Sequence, residues 1–222
     1  KLTTAIAIDG PAGAGKSTIA RMLAEKLNYT YLDSGAMYRA VTLKALENNT
    51  DVNNKEKMGE LVKNLDIDVE YKNNEFKIYA DGFDITKQIR TEQVDNNVSA
   101  VAQIKSVRDE LVNKQRTIAK KKNIVMDGRD IGTRVLTDAK YKFYITASVE
   151  ERARRRYKDV VKRGEKDKSF TEVKEEIIKR DRIDSNRKYS PLKKADDAVE
   201  IDTTELSKKE VLEKILSIIR GE

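Results

Sequence analysis

The chain has 222 residues, enough for one large domain, or a domain with inserts, built around a real core. It contains no cysteine and no histidine, which excludes a disulfide framework, a thiolate nucleophile, a Cys zinc site, an imidazole base and the usual transition-metal ligands. A charged content of 37% against 38% hydrophobic points to a wide solvated surface of lysine-rich helices, and the net charge of +7 serves either solubility or the collection of anionic ligands.

Chemistry is therefore left to Asp, Glu, Lys, Arg, Ser, Tyr and a hard cation. No apolar run approaches the ~20 residues of a membrane span. The first strand opens within a few residues of Lys1, leaving no room for a signal peptide, and the start at Lys1 rather than Met suggests that something short has been trimmed. A cytoplasmic protein is expected.

Ala5 to Asp9 reads as a strand that runs into Gly10, Pro11, Ala12, Gly13, Ala14, Gly15, Lys16, Ser17 and Thr18 and then into an amphipathic helix. This is G-x-x-x-x-G-K-S in the strand–loop–helix context that a phosphate-binding loop requires. Gly10, Gly13 and Gly15 let amide N–H groups approach phosphate oxygens, and the helix adds its positive N-terminal end. Lys16 is expected to reach the terminal phosphates of a nucleoside triphosphate and the Ser17 hydroxyl to complete a Mg²⁺ site.

Ile19, Leu23 and Leu27, with Ala20 and Ala24, predict a helix ending near Asn28, and Tyr29 to Leu32 a short strand running into Asp33 and Ser34. A strand–helix–strand order that starts with a phosphate loop implies a parallel α/β sheet whose ligands gather at the carboxyl ends of its strands. Asp33 and Ser34 fall on that edge, although Ser34 is also a natural cap for the helix that runs to Glu47. Arg39 can point back to the edge or lie on the surface.

From about Asn48 the pattern changes. A short helix over Glu56 to Asn64 precedes three segments of period-two alternation, Ile67–Tyr71, Phe76–Ala80 and Phe83–Thr86. Turns at 72–75 and at Asp81-Gly82 make them an antiparallel meander. Residues 63–98 are read as an insert, with helices over 91–103 and 105–122 leading back. Ser99 and Arg108 lie at that return and by themselves are ordinary helix residues.

Asn123 to Asp130 is a buried strand ending in Asp127, Gly128, Arg129 and Asp130, either a Mg²⁺-holding strand end or a tight turn with an internal salt bridge. Tyr141 to Ile145 is the next strand. Ser148 to Glu151 and Ser169 to Glu172 read as capping boxes. The first opens a helix carrying Arg152, Arg154, Arg155 and Arg156 that stops near Gly164, the second a helix to Asn186. The crowded arginines fit a lid that awaits anions, or simply a wet face. Arg180, Asp184 and Arg187 share one helix face by spacing. Ala198 to Asp202 is the last strand and Leu206 to Ile219 the closing helix.

A triphosphate and a phosphorylated acceptor in one cleft demand several cations and exclusion of water. Lys16 and the arginines at 39, 108, 129, 180 and 187 answer that demand, with the planar geometry that bidentate phosphate contacts prefer. A phosphate acceptor needs no general base, which suits a chain without histidine, although Asp33 or Asp130 can serve a hydroxyl acceptor.

Taken together, the segments Ile8–Gly13, Leu32–Arg39, Asp127–Thr133 and Arg180–Arg187 resemble bacterial cytidylate kinase, a P-loop nucleoside monophosphate kinase family, and the resemblance covers essentially the whole chain. It implies a five-stranded parallel sheet flanked by helices, with an antiparallel meander insert and a helical lid. The implied domains are a core at 1–62, 99–147 and 188–222, a monophosphate-binding insert at 63–98, and a lid with its following helix at 148–187. The implied reaction is transfer of the γ-phosphoryl group from MgATP to CMP or dCMP. By the same resemblance Ser99, Arg108 and Asp130 read the cytosine edge, and Arg180 and Asp184 hold the ribose. Ser34, Arg39, Arg129 and Arg187 clamp the acceptor phosphate beside Asp33, and Lys16, Arg39, Arg129 and Arg187 carry catalysis. Arg152 to Arg156 cover the donor phosphates, and the Thr203–Leu206 turn lies beside the adenine. The metal is expected on Ser17, with Asp127 or Asp33 holding it through water. The expected partners are ATP and CMP or dCMP, with no nucleic acid, no membrane and a monomeric state. Two other readings compete: a P-loop kinase with a hydroxyl acceptor, and a P-loop ATPase that binds nucleic acid through its positive charge.

Overall fold

The structure is a computed structural model of the chain and describes residues 3–73, 75–162, 164 and 168–222. The predicted turn at 72–75 falls partly outside the described residues, at Asn74, as does the chain just past the predicted helix end near Gly164, at Arg163, Glu165, Lys166 and Asp167.

Strand β1 (Ala5–Asp9) passes through the glycine-rich loop into α1 (Lys16–Leu27), followed by β2 (Thr30–Asp33), α2 (Ser34–Glu47) and α3 (Lys55–Asn64). The meander is β3 (Ile67–Lys72), β4 (Glu75–Ala80) and β5 (Phe83–Asp84). Helices α4 (Glu92–Val101) and α5 (Lys105–Ala119) return the chain to β6 (Ile124–Gly128) and β7 (Tyr141–Thr146). Then come α6 (Val149–Lys162), α7 (Phe170–Asn186), β8 (Val199–Asp202) and α8 (Lys208–Arg220).

The main sheet has the order β2-β6-β1-β7-β8, and every pairing in it is parallel. Alternation along the strands sorts the core into two layers. Ile6, Ile8, Val125 and Phe143 face α1 and α8 through Ile19, Leu23, Val211 and Ile215. Ala7, Leu32, Ile124 and Met126 face the other way, onto Met37, Val41 and Leu111. A helix the length of α1 is marginal alone, and burial of Ile19 and Leu23, worth about 1.5–3 kcal/mol each, decides in its favour. It ends where the spacing says, with Asn28 left-handed (φ 55°) and its N–H closing on Ala24 and Glu25.

The meander forms a separate antiparallel sheet in the order β3-β4-β5. Its second turn puts both Asp81 (φ 51°) and Gly82 (φ 83°) in the left-handed region, as a two-residue hairpin turn demands. Ile67, Val69, Ile78 and Ala80 pack into the same cluster as Met37 and Met58, so the insert is seated firmly on α2 and α3.

Some local expectations shift. The helix read as reaching residue 122 stops at Ala119, and the one read as starting at 91 uses Thr91 as its N-terminal flank. Ser34 does not cap α2: the Asp33 carboxylate accepts from Ala36 N at 3.0 Å, while Ser34 Oγ donates across the sheet to the Asp127 carbonyl at 2.7 Å. Ser169 and Glu172 form the full capping box, but at Ser148 only half of one forms. Ser148 Oγ accepts from Glu151 N, whereas the Glu151 carboxylate turns to Arg154 and Arg155. A π-helical turn at Ile131–Val135, absent from the sequence reading, follows β6.

Candidate active site

Parallel register brings the ends of β1, β2 and β6 level, with Asp33 opposite Asp127 and Asp9 opposite Gly128. The glycine-rich loop leaves β1 at this edge. A Cβ on Gly10 would stand 1.9 Å from the Ile145 carbonyl oxygen, and one on Gly13 (φ 75°) 2.9 Å from that of Arg152, so the loop closes only because both lack one. Lys16 is buried and donates to the Pro11 carbonyl at 2.7 Å. Burial, and then the neighbouring Arg129 guanidinium, push its ammonium well below the ordinary lysine range, and an arriving polyphosphate reverses that effect.

Ser17 Oγ donates to Asp127 Oδ2 at 2.8 Å, and Tyr31 OH donates to the other oxygen at 2.8 Å. Burial, followed by the nearby Asp33 charge, raises the Asp127 carboxyl to about 6. Asp33 itself accepts from Arg90 Nη2 at 3.0 Å. A hydroxyl and two carboxylates at one strand edge form an all-oxygen donor set that suits a hard cation such as Mg²⁺. Among the described residues no group of three or more His, Cys, Asp or Glu gathers to hold a metal without help, so such a cation would share its shell with phosphates and water.

Opposite the loop, α2, α5, β6 and α7 converge five arginines. Arg108 Nη2 meets Asp130 Oδ2 at 2.5 Å, its guanidinium lies 5.1 Å from the Tyr38 ring centroid, and both members of the ion pair are buried. Arg129 Nε donates to Asp184 Oδ2 at 2.9 Å, and Arg187 Nη1 lies 3.5 Å from Asp184 Oδ1. Burial opposes charge on Asp184, but Arg129, Arg180 and Arg187 outweigh it and hold the carboxyl below its usual range. Burial and then Arg129 lower Arg180 to about 10, and burial and then Arg108 lower Arg187. Arg108 Nε, Arg180 Nε and Arg187 Nη2 are buried donors with no hydrogen-bond partner among the described residues. Arg39 donates to the Ile89 carbonyl at 3.2 Å and pairs with Asp95 at 2.5 Å.

The four arginines of α6 separate by direction. Arg152 donates to the Ala12 carbonyl at 3.0 Å and to Asp181 at 2.5 Å. Arg155 donates to the Ala14 carbonyl at 3.3 Å and to the Thr203 carbonyl at 2.7 Å, which sets the 203–206 turn against the loop. Arg156 lies 3.6 Å from Asp95, and Arg154 pairs with Glu151 on the solvent side.

The structure thus brings together Lys16, Ser17, Asp33, Ser34, Asp127, Arg129, Asp130, Arg108, Arg180, Asp184 and Arg187. Ser99 is half-buried on α4, and among the described residues no hydrogen bond joins its hydroxyl to this cluster; its carbonyl accepts from the Gln103 side chain. Sequence reasoning missed four carboxylates and arginines that contact the rest. Asp9 accepts from Ile131 N at 2.8 Å and Gly132 N at 2.7 Å, tying the strand before the glycine-rich loop to the turn after Asp130. Arg90, Asp95 and Asp181 form ion pairs with Asp33, Arg39 and Arg152. Asp9 carried a usable signal, a carboxylate at a strand end like that at Asp127; the others pair across elements and leave no spacing to read.

A family model described as "Cytidylate kinase" matches residues 6–221. Two relatives of that description, from Bacillus cereus (strain ATCC 10987 / NRS 248) and Bacillus thuringiensis (strain Al Hakam), are each 51% identical over 216 residues, covering 97% of this chain and 96% of their own. Among solved structures, an uncharacterized protein from Eubacterium ventriosum ATCC 27560 aligns with a TM-score of 0.53 at 14% identity over 99% of both chains, a likeness of fold alone.

Proposed function

The chain belongs to the cytidylate kinase family, and from that premise we propose how its residues carry the family's reaction. The reaction is reversible transfer of the γ-phosphoryl group of ATP to CMP or dCMP, giving ADP and CDP or dCDP. The observation that carries the residue-level reading is the set of three buried guanidinium nitrogens without a partner among the described residues, on Arg108, Arg180 and Arg187, gathered opposite a phosphate loop. Such donors cost stability unless a ligand accepts from them.

On the donor side the amides from Gly10 to Thr18 cradle the polyphosphate, and Lys16 exchanges the Pro11 carbonyl for the transferring group. Arg152 and Arg155 brace the loop from α6. Mg²⁺, where bound, neutralises phosphate charge; Ser17 and Asp127 would hold it, with Asp33 acting through water. On the acceptor side Asp130 accepts from the cytosine amino group, with Arg108 and Ser99 completing the edge. Arg180 and Asp184 hold the ribose, and Arg39, Arg129 and Arg187 with Ser34 hold the phosphate in line for attack. The acceptor oxygen already carries negative charge, so no side chain has to remove a proton. What remains is positioning and charge stabilisation, which these arginines supply in a cleft from which α6 and α7 exclude water.

In this reading 63–98 is the monophosphate-binding insert and 1–62, 99–147 and 188–222 are the core. The same reading takes the protein as a monomer that works without nucleic acid or a membrane. Among the described residues no helix is long and apolar enough to cross a membrane. A coupled ADP-release assay across AMP, CMP, dCMP, UMP and GMP tests the reading. CMP and dCMP should be preferred; a preference for AMP, or turnover of a non-nucleotide alcohol, overturns it.

A further inference from the structure

Arg39 is assigned above to the acceptor phosphate, yet its guanidinium is already occupied by a carboxylate. Asp95 on α4 meets Arg39 Nη2 at 2.5 Å through one oxygen and faces Arg156 Nη2 at 3.6 Å through the other. Both side chains are mostly buried. The groups that face Asp95 are Arg39, Arg156 and, less closely, Arg180, from α2, α6 and α7. Burial opposes charge on Asp95, but Arg39 and then Arg156 and Arg180 outweigh it and hold the carboxyl below its usual range. Asp95 therefore stays ionised, and an internal anion sits where the external one has to bind.

We propose that Asp95 is a specificity-determining residue: it competes with the acceptor phosphate for Arg39 and thereby keeps free inorganic phosphate out of the nucleotide site. A phosphate dianion reaching Arg39 must displace an ion-paired carboxylate or lie beside it, and either is unfavourable. A nucleoside monophosphate offsets that cost through its base and ribose, at Arg108, Asp130, Arg180 and Asp184. Inorganic phosphate has neither, so the carboxylate discriminates between the two ligands while the arginine alone would not. The assignment rests on the acceptor reading of Arg39, and Asp95 lies outside the residues that the sequence pattern singled out.

The test uses the full chain. Titration calorimetry of inorganic phosphate, at ionic strength balanced with chloride, is run on the wild type, Asp95→Asn, Asp95→Ala and Asp95→Glu. Steady-state inhibition by phosphate against CMP is measured alongside. Asp95→Asn and Asp95→Ala should bind phosphate about tenfold more tightly, the worth of one freed charge-assisted contact, and should show competitive inhibition by it. Asp95→Glu, which keeps the charge, should stay close to wild type, and adding Arg39→Ala to Asp95→Asn should abolish the gain. Unchanged or weaker phosphate binding in both Asp95→Asn and Asp95→Ala, or a CMP KM that rises as in Arg39→Ala, overturns the proposal and makes Asp95 a brace for Arg39. Failure of the wild type to phosphorylate CMP would instead refute the acceptor reading, which the calorimetry on ligand-free protein does not depend on.

Discussion

Asp33 and Asp127 are register partners on adjacent parallel strands, so two carboxylates stand side by side at the carboxyl edge of the sheet. Ligand-free protein bears the cost of that arrangement: Asp127 is raised to about 6, by burial and then by Asp33, and Asp9 is raised to about 6 by burial. Unfolding returns both groups to ordinary carboxylate values, so between roughly pH 4 and 6 the folded state binds more protons than the unfolded one. Stability from these two groups therefore falls as pH rises through that window. The carboxylates held low, Asp95 and Asp184, lose their stabilisation only at more acidic pH. Thermal unfolding of the ligand-free protein should give a higher midpoint near pH 5 than near pH 7, and Asp127→Asn should raise the midpoint near pH 7 while flattening the slope. A wild-type midpoint that climbs steadily to neutrality would contradict this.

Lys16 and Arg180 serve different substrates and should fail differently. Lys16→Ala is expected to slow transfer to every acceptor by about a hundredfold or more, mainly in kcat. Arg180→Ala should raise the KM for CMP by about ten- to a hundredfold and affect dCMP less, with the KM for ATP nearly unchanged. Steady-state kinetics with both acceptors separates the two, and equal effects of both changes across acceptors would refute the division of labour.

The Arg108–Asp130 pair has almost no solvent to fall back on, since the two side chains are 3% and 5% exposed. Asp130→Ala leaves a buried guanidinium uncompensated and should cost about 3–5 kcal/mol of stability in urea unfolding. Asp130→Asn, which keeps an acceptor oxygen, should cost less and chiefly erode selection of cytosine over other bases in the acceptor panel.

Gln115 on α5 is 1% exposed, and both its amide nitrogen and its oxygen lack partners among the described residues. Replacing it with methionine of similar shape removes an unmet desolvation cost and should stabilise the fold by roughly 1–2 kcal/mol. Denaturant unfolding reads this directly, with CMP kinase activity as the control that the site is untouched.

Local rules made much of this molecule legible. The glycine-rich loop is written in spacing, α1 in its apolar stripe, and the 81–82 turn in two residues that accept a positive φ. The Ser34 expectation failed because Asp33 and Ser34 are both good caps, and only the arrival of β6 beside β2 decides which oxygen is free for the helix. The box at Ser148 stayed half-formed because Arg154 and Arg155 compete for Glu151. Sequence could name four arginines on α6 but not their directions, which depend on how that helix lies over the loop. Asp95 and Asp181 were invisible for the same reason: their partners belong to other elements.

The grip of α6 on the glycine-rich loop has an electrical meaning. Arg152 and Arg155 touch the oxygen ends of the Ala12 and Ala14 peptides, two positions apart on a loop whose N–H ends are meant for phosphate. A cation on a peptide oxygen polarises that unit and makes its amide hydrogen more positive. The loop is thus charged from behind, like plates held under voltage before any current flows, and a substitution at either arginine should weaken nucleotide binding without removing a single contact to the nucleotide.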